Sequence, residues 1–306
     1  MNIEQTRELV EWVLDLPPED RRECNLSLLG APPLVDLELA SACNITCRFC
    51  PRTEMARNSA LMSEETFAAV MQLLPPDAVV MLSGLGEALL QPRLPEWVAR
   101  LTTSGRSTCV ITNGVRLTPT RQDDLIAAGI AQIQVSVHSL DLETARKVVP
   151  RGARPDLVRG HLERLAAVRP ETLGVRLNFV ETPDNEPDLA EVEALAARLG
   201  FEFFYRREHS RGGHYGTSRA ANANAGCGIF AAVTFITADG DVLPCVNDVR
   251  GDGVLGNVRA LTWGEVVRWK ARVIDKDECF SACSTCDDDY RWILIGQGAL
   301  DEPATS

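Results

Sequence analysis

From about residue 34, short apolar runs alternate along the chain with longer amphipathic segments. The short runs have the length and side chains of buried strands, which we expect at 34–39, 78–82, 108–112, 132–137, 174–180 and 201–205. The longer segments place apolar residues at helical spacing near 64–74, 94–103, 120–128, 140–148, 155–167 and 187–199. Six strands alternating with six helices predict parallel βα units. The expected fold class is therefore α/β, a partial (β/α)6 TIM-like barrel with its chemistry at the carboxyl ends of the strands.

The regions on either side of this pattern are organised differently. Residues 3–15 predict an amphipathic helix that ends before Pro17, within a helical extension over 1–33. The alternation stops near residue 208, and 209–226 is expected to be a linker. Apolar runs at 231–236 and 241–243 flank Asp239-Gly240, a hairpin signal, and a short helix is expected near 263–273. The expected division is extension 1–33, barrel 34–208, linker 209–226 and a small, loop-rich domain over 227–306, which we expect to bury little core and to need a metal.

Charge and composition narrow the class of protein. Lys and Arg total 31 against 43 Asp and Glu, which gives a net charge of −12 and argues against a nucleic-acid partner. The charge is typical of a solvated acidic surface, and it also favours a cationic substrate. The sequence has neither a membrane-length apolar run nor an export signal, so we expect a soluble, cytoplasmic protein without a membrane partner.

Ten cysteines are unusual for such a chain, because cytosolic disulfides are rare and clustered thiols there bind metal or perform chemistry. Cys24 and Cys109 are read as ordinary residues. Cys43, Cys47 and Cys50 follow the first predicted strand. Three thiolates can hold three irons of a cubane and leave the fourth iron open for chemistry. A structural zinc site would need a fourth ligand, and none lies close in the sequence.

The pattern Cys43-x3-Cys47-x2-Cys50 after the first strand resembles that of the radical S-adenosylmethionine (SAM) superfamily. The resemblance implies a [4Fe–4S] cluster whose open iron binds SAM, and a 5′-deoxyadenosyl radical that removes hydrogen from a small-molecule substrate. A reductant such as flavodoxin or ferredoxin is implied as a partner. Residues 83–87 resemble the family's glycine-rich SAM contact. The full implied cofactor-binding set is Phe49, Gly84, Gly86, Glu87, Asn113, Ser136 and Arg151.

The second group of cysteines resembles the SPASM/twitch domain, which encloses an auxiliary [4Fe–4S] cluster. The resemblance implies Cys227, Cys245, Cys283 and Cys286 as ligands and leaves Cys279 spare. In the alternative assignment the last three cysteines and Cys227 bind iron, and Cys245 is spare. A structural zinc site is the other interpretation of the same spacing. The spare cysteine is either incidental or a catalytic hydrogen-atom donor.

Twitch-type enzymes of this length resemble catalysts of antibiotic pathways that either oxidise a carbinol or invert a sugar stereocentre. The spare thiol, Cys279 or Cys245, favours an epimerase (isomerase) acting on an aminoglycoside or aminosugar. Dehydrogenation of an aminocyclitol alcohol to a ketone is the first alternative. Modification of a ribosomal peptide is the second, although the 33 residues before the first strand are too few for a peptide-recognition domain. A non-enzymatic iron–sulfur or zinc protein is the third.

Overall fold

A computed structural model of the protein describes residues 3–214 and 227–300. Its strands are β1 (Leu34–Leu37), β2 (Val79–Leu82), β3 (Ser107–Thr112), β4 (Gln132–Ser136), β5 (Gly174–Glu181), β6 (Glu202–Arg207), β7 (Val233–Ile236), β8 (Asp241–Leu243) and β9 (Gly256–Asn257). Its helices are α1 (Ile3–Asp15), α2 (Pro18–Leu28), α3 (Glu64–Leu73), α4 (Leu94–Thr103), α5 (Pro119–Ala127), α6 (Leu142–Val148), α7 (Pro155–Val168), α8 (Leu189–Leu199), α9 (Gly228–Ala232), α10 (Trp263–Asp275) and α11 (Tyr290–Leu300).

Strands β1 to β6 are parallel neighbours in sequence order, and together with β7, β8 and β9 they form one nine-stranded sheet of the described residues. The predicted partial barrel is therefore confirmed. Each of the six predicted strands and each of the six predicted helices is present, with ends within about two residues of the expected ones. The agreement arises because two different periods of hydrophobicity, close to 2 and 3.6, separate strand from helix along this part of the chain.

The two faces of the barrel strands have different surroundings, as β1 shows. Val35, Leu37 and Leu39 are fully buried in the main apolar core, beneath the helices that cover the outer face. Asp36 and Glu38 alternate with them and therefore face the barrel lumen. The outer layer includes a stacked aromatic pair, since the rings of Phe67 on α3 and Trp97 on α4 lie 4.3 Å apart.

The carboxyl-terminal region differs from the expectation of a small tail with little core. Strand β7 pairs in parallel with β1, with Leu34 beside Val233, so the predicted hairpin extends the barrel sheet. Ile236 and Val242 on this hairpin belong to the main core. Strand β7 can pair within the barrel sheet because it is almost entirely buried, which is typical of an interior strand of a parallel sheet.

Three helices were not predicted from the sequence. Helix α2 follows Pro17 directly and is mostly polar. Helix α9 occupies residues that were expected to begin the hairpin, and α11 follows the last cysteine. Helix α11 packs on α1, where Val13, Trp292 and Ile295 form a separate small core.

The domain boundaries stay a prediction. Residues 215–226 of the predicted linker lie outside the described residues, whereas His209 and Ser210 at its start are buried. In the described part of the chain, every helix is either too short or too polar to span a bilayer.

The Phe67–Trp97 stack generates a stability prediction. Replacing the fully buried Trp97 with alanine should destabilise the protein by about 3–5 kcal/mol, because it removes a large side chain and leaves a cavity. Trp12 is 42 % exposed, so Trp12→Ala is the matched control and should change the free energy of unfolding by less than about 1 kcal/mol. Anaerobic urea unfolding followed by far-UV circular dichroism measures both, and equal midpoints for the two variants would contradict the prediction.

Candidate active site

A cavity at the carboxyl ends of the barrel strands is lined by Cys43, Cys47 and Cys50. We call it the triad cavity; it encloses about 1150 Å³, part of it open to solvent. Its walls come from the loops that follow β1, β2, β3 and β4, and from Arg211 beyond β6. The position agrees with the rule that parallel α/β folds place chemistry at this edge of the sheet.

The cysteine triad lies on one side of this cavity. The Cys50 thiol is 3.8 Å from the carbonyl oxygen of Leu85, and the Asn113 amide is 3.9 Å from the Cys43 sulfur. Burial raises the pKa of Cys47 well above its ordinary value, and the neighbouring thiols of Cys50 and Cys43 raise it further. Iron would reverse this effect, because a metal ion supplies the positive charge that stabilises thiolates. The donor set therefore suits an iron–sulfur cluster.

The glycine-rich loop after β2 packs directly against the loop that carries the triad. A Cβ atom on Gly86 would lie 1.9 Å from the carbonyl oxygen of Ala40, a distance at which no side chain fits. Gly84 adopts a φ of +136° and passes within contact distance of the Glu38 side chain. Both glycines are therefore required by close approach of the backbone.

Glu87 ends this loop and joins three elements. Its buried carboxylate accepts hydrogen bonds from the Thr112 hydroxyl at 2.7 Å and from the backbone N–H groups of Asn113 and Leu89 at 2.8 and 3.0 Å. Burial raises the pKa of Glu87 above its ordinary value, and these hydrogen bonds oppose the rise. The carboxylate thus fixes the end of β3 next to the triad. A direct contact of Glu87 with SAM stays a prediction.

His138 is a residue of this cavity for which the sequence indicated no role. Its ring meets the Phe49 ring edge to face at 4.9 Å, and its Nδ1 accepts the backbone N–H of Val180. Burial, with a smaller effect of Arg211, lowers the pKa of His138 to about 4, so the imidazole is neutral near pH 7. Its Nε2 then carries the proton and is the side that can donate. In the sequence, the only signal for a role of His138 was its position as a polar residue at the end of the fourth predicted strand.

The structure brings most of the implied cofactor-binding residues together. The six that line the triad cavity are Phe49, Gly84, Gly86, Glu87, Asn113 and Ser136. Arg151 does not line it: its side chain is exposed, and its carbonyl oxygen accepts the backbone N–H of Thr46. The guanidinium-bearing residues that do line the cavity are Arg154 and Arg211. The role of Arg151 in binding SAM stays a prediction that this placement does not favour.

A buried ion pair connects the loops around the cavity. Glu38 is fully buried and receives Arg57 at 2.8 Å, and it also accepts the backbone N–H groups of Leu85 and Ala238. Arg57 in turn reaches the carbonyl oxygen of Val249. One carboxylate therefore links the first strand, the glycine-rich loop and the hairpin region. In the sequence, the signal for this link was Glu38, a charged residue within the apolar run predicted at 34–39.

The second group of cysteines lies around a separate space, the auxiliary cavity, of about 770 Å³. Cys227, Cys245, Cys283 and Cys286 interact electrostatically with one another, which indicates mutual proximity. Burial raises the pKa of Cys227 to about 12 and that of Cys286 to about 11. Cys279 lines the same cavity but is exposed, and its charge adds to the burial that raises the pKa of Cys283.

This arrangement favours the first ligand assignment, in which Cys279 is spare. Four grouped thiols are the complete donor set of a cluster without an open iron. Among the residues that the structure describes, no three His, Cys, Asp or Glu side chains converge closely enough to share one metal ion.

Family models match both parts of the chain. The model described as the radical SAM superfamily matches residues 37–201. The chain belongs to the radical SAM superfamily. A second model, the SPASM iron–sulfur cluster-binding domain, matches residues 227–287. The protein is therefore an enzyme that uses a [4Fe–4S] cluster with SAM, and its SPASM region binds auxiliary iron–sulfur. Enzymes of this superfamily act on small-molecule or peptide substrates and need a reductant.

Curated relatives match just over half of this radical SAM enzyme. PqqA peptide cyclase of Streptomyces rochei is 29 % identical over 175 residues, which cover 56 % of this chain and 47 % of the relative. Mycofactocin maturase MftC of Mycobacterium tuberculosis is 30 % identical over 173 residues, covering 56 % of this chain and 44 % of the relative. The chain spans about half the length of the curated relatives it matches.

Solved structures share the fold of this enzyme. BtrN in complex with AdoMet and 2-DOIA aligns with a TM-score of 0.61 at 21 % identity, covering 84 % of this chain and 94 % of BtrN. Streptococcus suis SuiB bound to precursor peptide SuiA aligns with a TM-score of 0.63 at 13 % identity, covering 87 % of this chain and 70 % of SuiB. At these identities the likeness shows the fold.

The close approach of the glycine-rich loop gives the first prediction for the site. Gly86→Ala should slow 5′-deoxyadenosine formation by about 100-fold, because the added methyl group displaces this loop from the triad by about 1 Å. Gly160→Ala on α7 is the matched control, since a Cβ atom there meets nothing within 4 Å. Anaerobic assays with SAM and dithionite measure both variants. Wild-type rates for Gly86→Ala would show that the loop does not position SAM.

The arrangement of the auxiliary cavity gives the second prediction. Cys279→Ala should keep the full iron content of the reconstituted enzyme, because the four grouped thiols of Cys227, Cys245, Cys283 and Cys286 remain. Cys245→Ala is the paired variant and should lose auxiliary iron while the triad cluster stays loaded. Iron analysis and electron paramagnetic resonance of the reduced enzyme distinguish the two clusters. Loss of iron in Cys279→Ala with retention in Cys245→Ala would establish the alternative ligand set.

Proposed function

We propose that the enzyme dehydrogenates a carbinol of a small aminated polyol, such as an aminocyclitol, to a ketone. The observation that supports this most is the grouping of Cys245 with Cys227, Cys283 and Cys286 around the auxiliary cavity. A cluster with four protein thiolates has no open iron and serves electron transfer. An electron acceptor beside the barrel is what an oxidation requires.

The oxidation of the carbinol to the ketone is balanced by the transfer of a hydrogen atom, an electron and a proton. When bound, a [4Fe–4S] cluster with SAM would supply the radical that removes the carbinol hydrogen atom, and a cluster held by Cys227, Cys245, Cys283 and Cys286 would accept one electron. The hydroxyl proton leaves to water. Loss of one hydrogen atom, one proton and one electron converts the carbinol to the ketone. The protein contributes the walls of the triad cavity, where neutral His138 presents a donor and the Phe49 ring excludes water.

The shape of the chain also supports a small substrate. The alignment with BtrN, whose solved structure contains 2-DOIA, covers 94 % of that chain and 84 % of this one. The net charge of −12 is compatible with a cationic amine.

Epimerisation with a thiol donor stays a prediction, and the geometry does not favour it. A hydrogen donor has to reach the substrate carbon beside SAM. Cys245 and Cys279 both line the auxiliary cavity, and neither is among the described residues that line the triad cavity. Cys245 is moreover one of the four grouped thiols.

A peptide substrate is the second candidate. It is favoured by the names of the curated relatives, which include a peptide cyclase and a maturase, and by the fold shared with SuiB bound to a precursor peptide. This candidate predicts turnover with a peptide and none with aminated polyols.

The reaction is tested anaerobically in D2O with the reconstituted enzyme, SAM, dithionite and a panel of aminocyclitols and amino sugars. We expect one ketone for each 5′-deoxyadenosine and no deuterium at the altered carbon. Cys283→Ala should still form 5′-deoxyadenosine but should lose most of the ketone, because the electron acceptor is removed. Cys279→Ala is the control and should retain ketone formation.

Other outcomes separate the competing functions. Deuterium at the altered carbon without ketone would establish an epimerase and overturn the dehydrogenase. Turnover of peptides with no change in any aminated polyol would support the second candidate. A wild-type rate of ketone formation by Cys283→Ala would remove the auxiliary cluster from the reaction.

A further inference from the structure

The barrel lumen below the triad cavity carries polar side chains among apolar ones. The strand register places Asp36, Cys109 and Gln132 at one level of the sheet, with Phe235 and Met81 on either side of Asp36. Gln134 and Arg176 lie one level higher, beside Ile111. The polar residues lie on the face opposite the fully buried apolar residues of the same strands. Polar side chains are unusual in the lumen of a barrel of this type, since such interiors are ordinarily packed with branched apolar side chains.

Two acidic residues, Asp36 in β1 and Glu38 directly after it, face this lumen and have different partners. Glu38 pairs with Arg57 and accepts two backbone N–H groups. Asp36 is half-buried and accepts a hydrogen bond from the Ser83 hydroxyl. In the described part of the chain, Asp36 forms no salt bridge, whereas Glu38 does. Asp36 is therefore the lumenal carboxylate without a countercharge.

The opposite wall of the lumen carries polar atoms without protein partners. The Asn178 amide donates to Gln134 at 3.0 Å, and Gln134 donates to Gln132 at 2.7 Å. This chain of amides leaves the Asn178 carbonyl oxygen buried without a donor, and the Arg176 Nε is buried without an acceptor. Buried polar atoms of this kind are ordinarily satisfied by a ligand or by water. A polyhydroxylated ligand offers both donors and acceptors to them.

Ser83 joins this lumen to the reacting centre. Its hydroxyl donates to Asp36, and the residue itself lines the triad cavity with Gly84 and Gly86. The Asp36 carboxylate therefore lies one side chain below the triad cavity. Burial raises the pKa of Asp36 to about 6, the Ser83 hydrogen bond opposes this, and Glu38 adds to it. The group is still ionised for the most part near pH 7.

We propose that Asp36 is the subsite for an ammonium group of the substrate, with the ring hydroxyls directed to Asn178 and Arg176. The proposal rests on the proposed function, since it assigns the amine of the aminated polyol to a particular carboxylate. An ammonium supplies the missing countercharge of Asp36. It also fixes the ring beneath SAM, so that one carbinol faces the cavity.

The proposal is tested by equilibrium binding to the reconstituted enzyme in the presence of SAM. The probes are 2-deoxy-scyllo-inosamine, which carries an ammonium, and its N-acetyl derivative, which has the same ring without the charge. Wild type should bind the amine more tightly. Asp36→Asn should weaken binding of the amine by about 10- to 100-fold, the loss of a charge-assisted hydrogen bond, and leave the N-acetyl probe unchanged. Asp36→Glu, which keeps the charge, should recover part of the affinity.

Controls separate this proposal from a folding defect and from the proposed function. Asp77→Asn removes an exposed carboxylate and should bind both probes as the wild type does. SAM affinity and iron content should be unchanged in Asp36→Asn. Equal amine affinity in wild type and Asp36→Asn would overturn the subsite. Failure of the wild type to bind either probe, with SAM bound normally, would contradict the proposed substrate class as well.

Discussion

The carboxylate of Glu38 holds together the parts of the protein that have to meet at the active site. It lies in the fully buried interior, pairs with Arg57, and accepts backbone N–H groups from the glycine-rich loop and from the end of β7. A buried charge of this kind is costly unless every lone pair is satisfied. That requirement constrains the geometry. Three segments have to be in place together: the loop after β2, the loop carrying Arg57 and the hairpin.

Apolar and acidic residues alternate along β1 and the two residues after it. This alternation explains how one short segment contributes to both the apolar core and the lumen. Val35, Leu37 and Leu39 supply the apolar core beneath the helices, while Asp36 and Glu38 supply the lumen. The lumenal face of this segment is acidic. Stability is therefore carried by the outer face, where Phe67 and Trp97 stack, and the inner face is left available for binding.

The barrel and the cysteine triad could be predicted from the sequence because their signals are local. Periodicity identified β1 to β6, and three closely spaced cysteines after the first strand indicated the cluster. Features that depend on distant partners could not be predicted. Strand β7 pairs with β1 across some 200 residues, the Arg57–Glu38 pair depends on a loop path, and Arg151 is turned outward by its backbone bridge to Thr46. Helix α2 was missed because it is mostly polar and follows Pro17 directly.

The pairing of β7 with β1 has a consequence for protein engineering. A carboxyl-terminal module from another SPASM enzyme cannot simply be joined behind the barrel of this one, because the module's first strand is also the strand that completes the barrel sheet. A functional chimera has to preserve the alignment of Val233 with Leu34. A shift by one residue would turn Phe235 away from Arg57 and place the ring on the opposite face of the sheet.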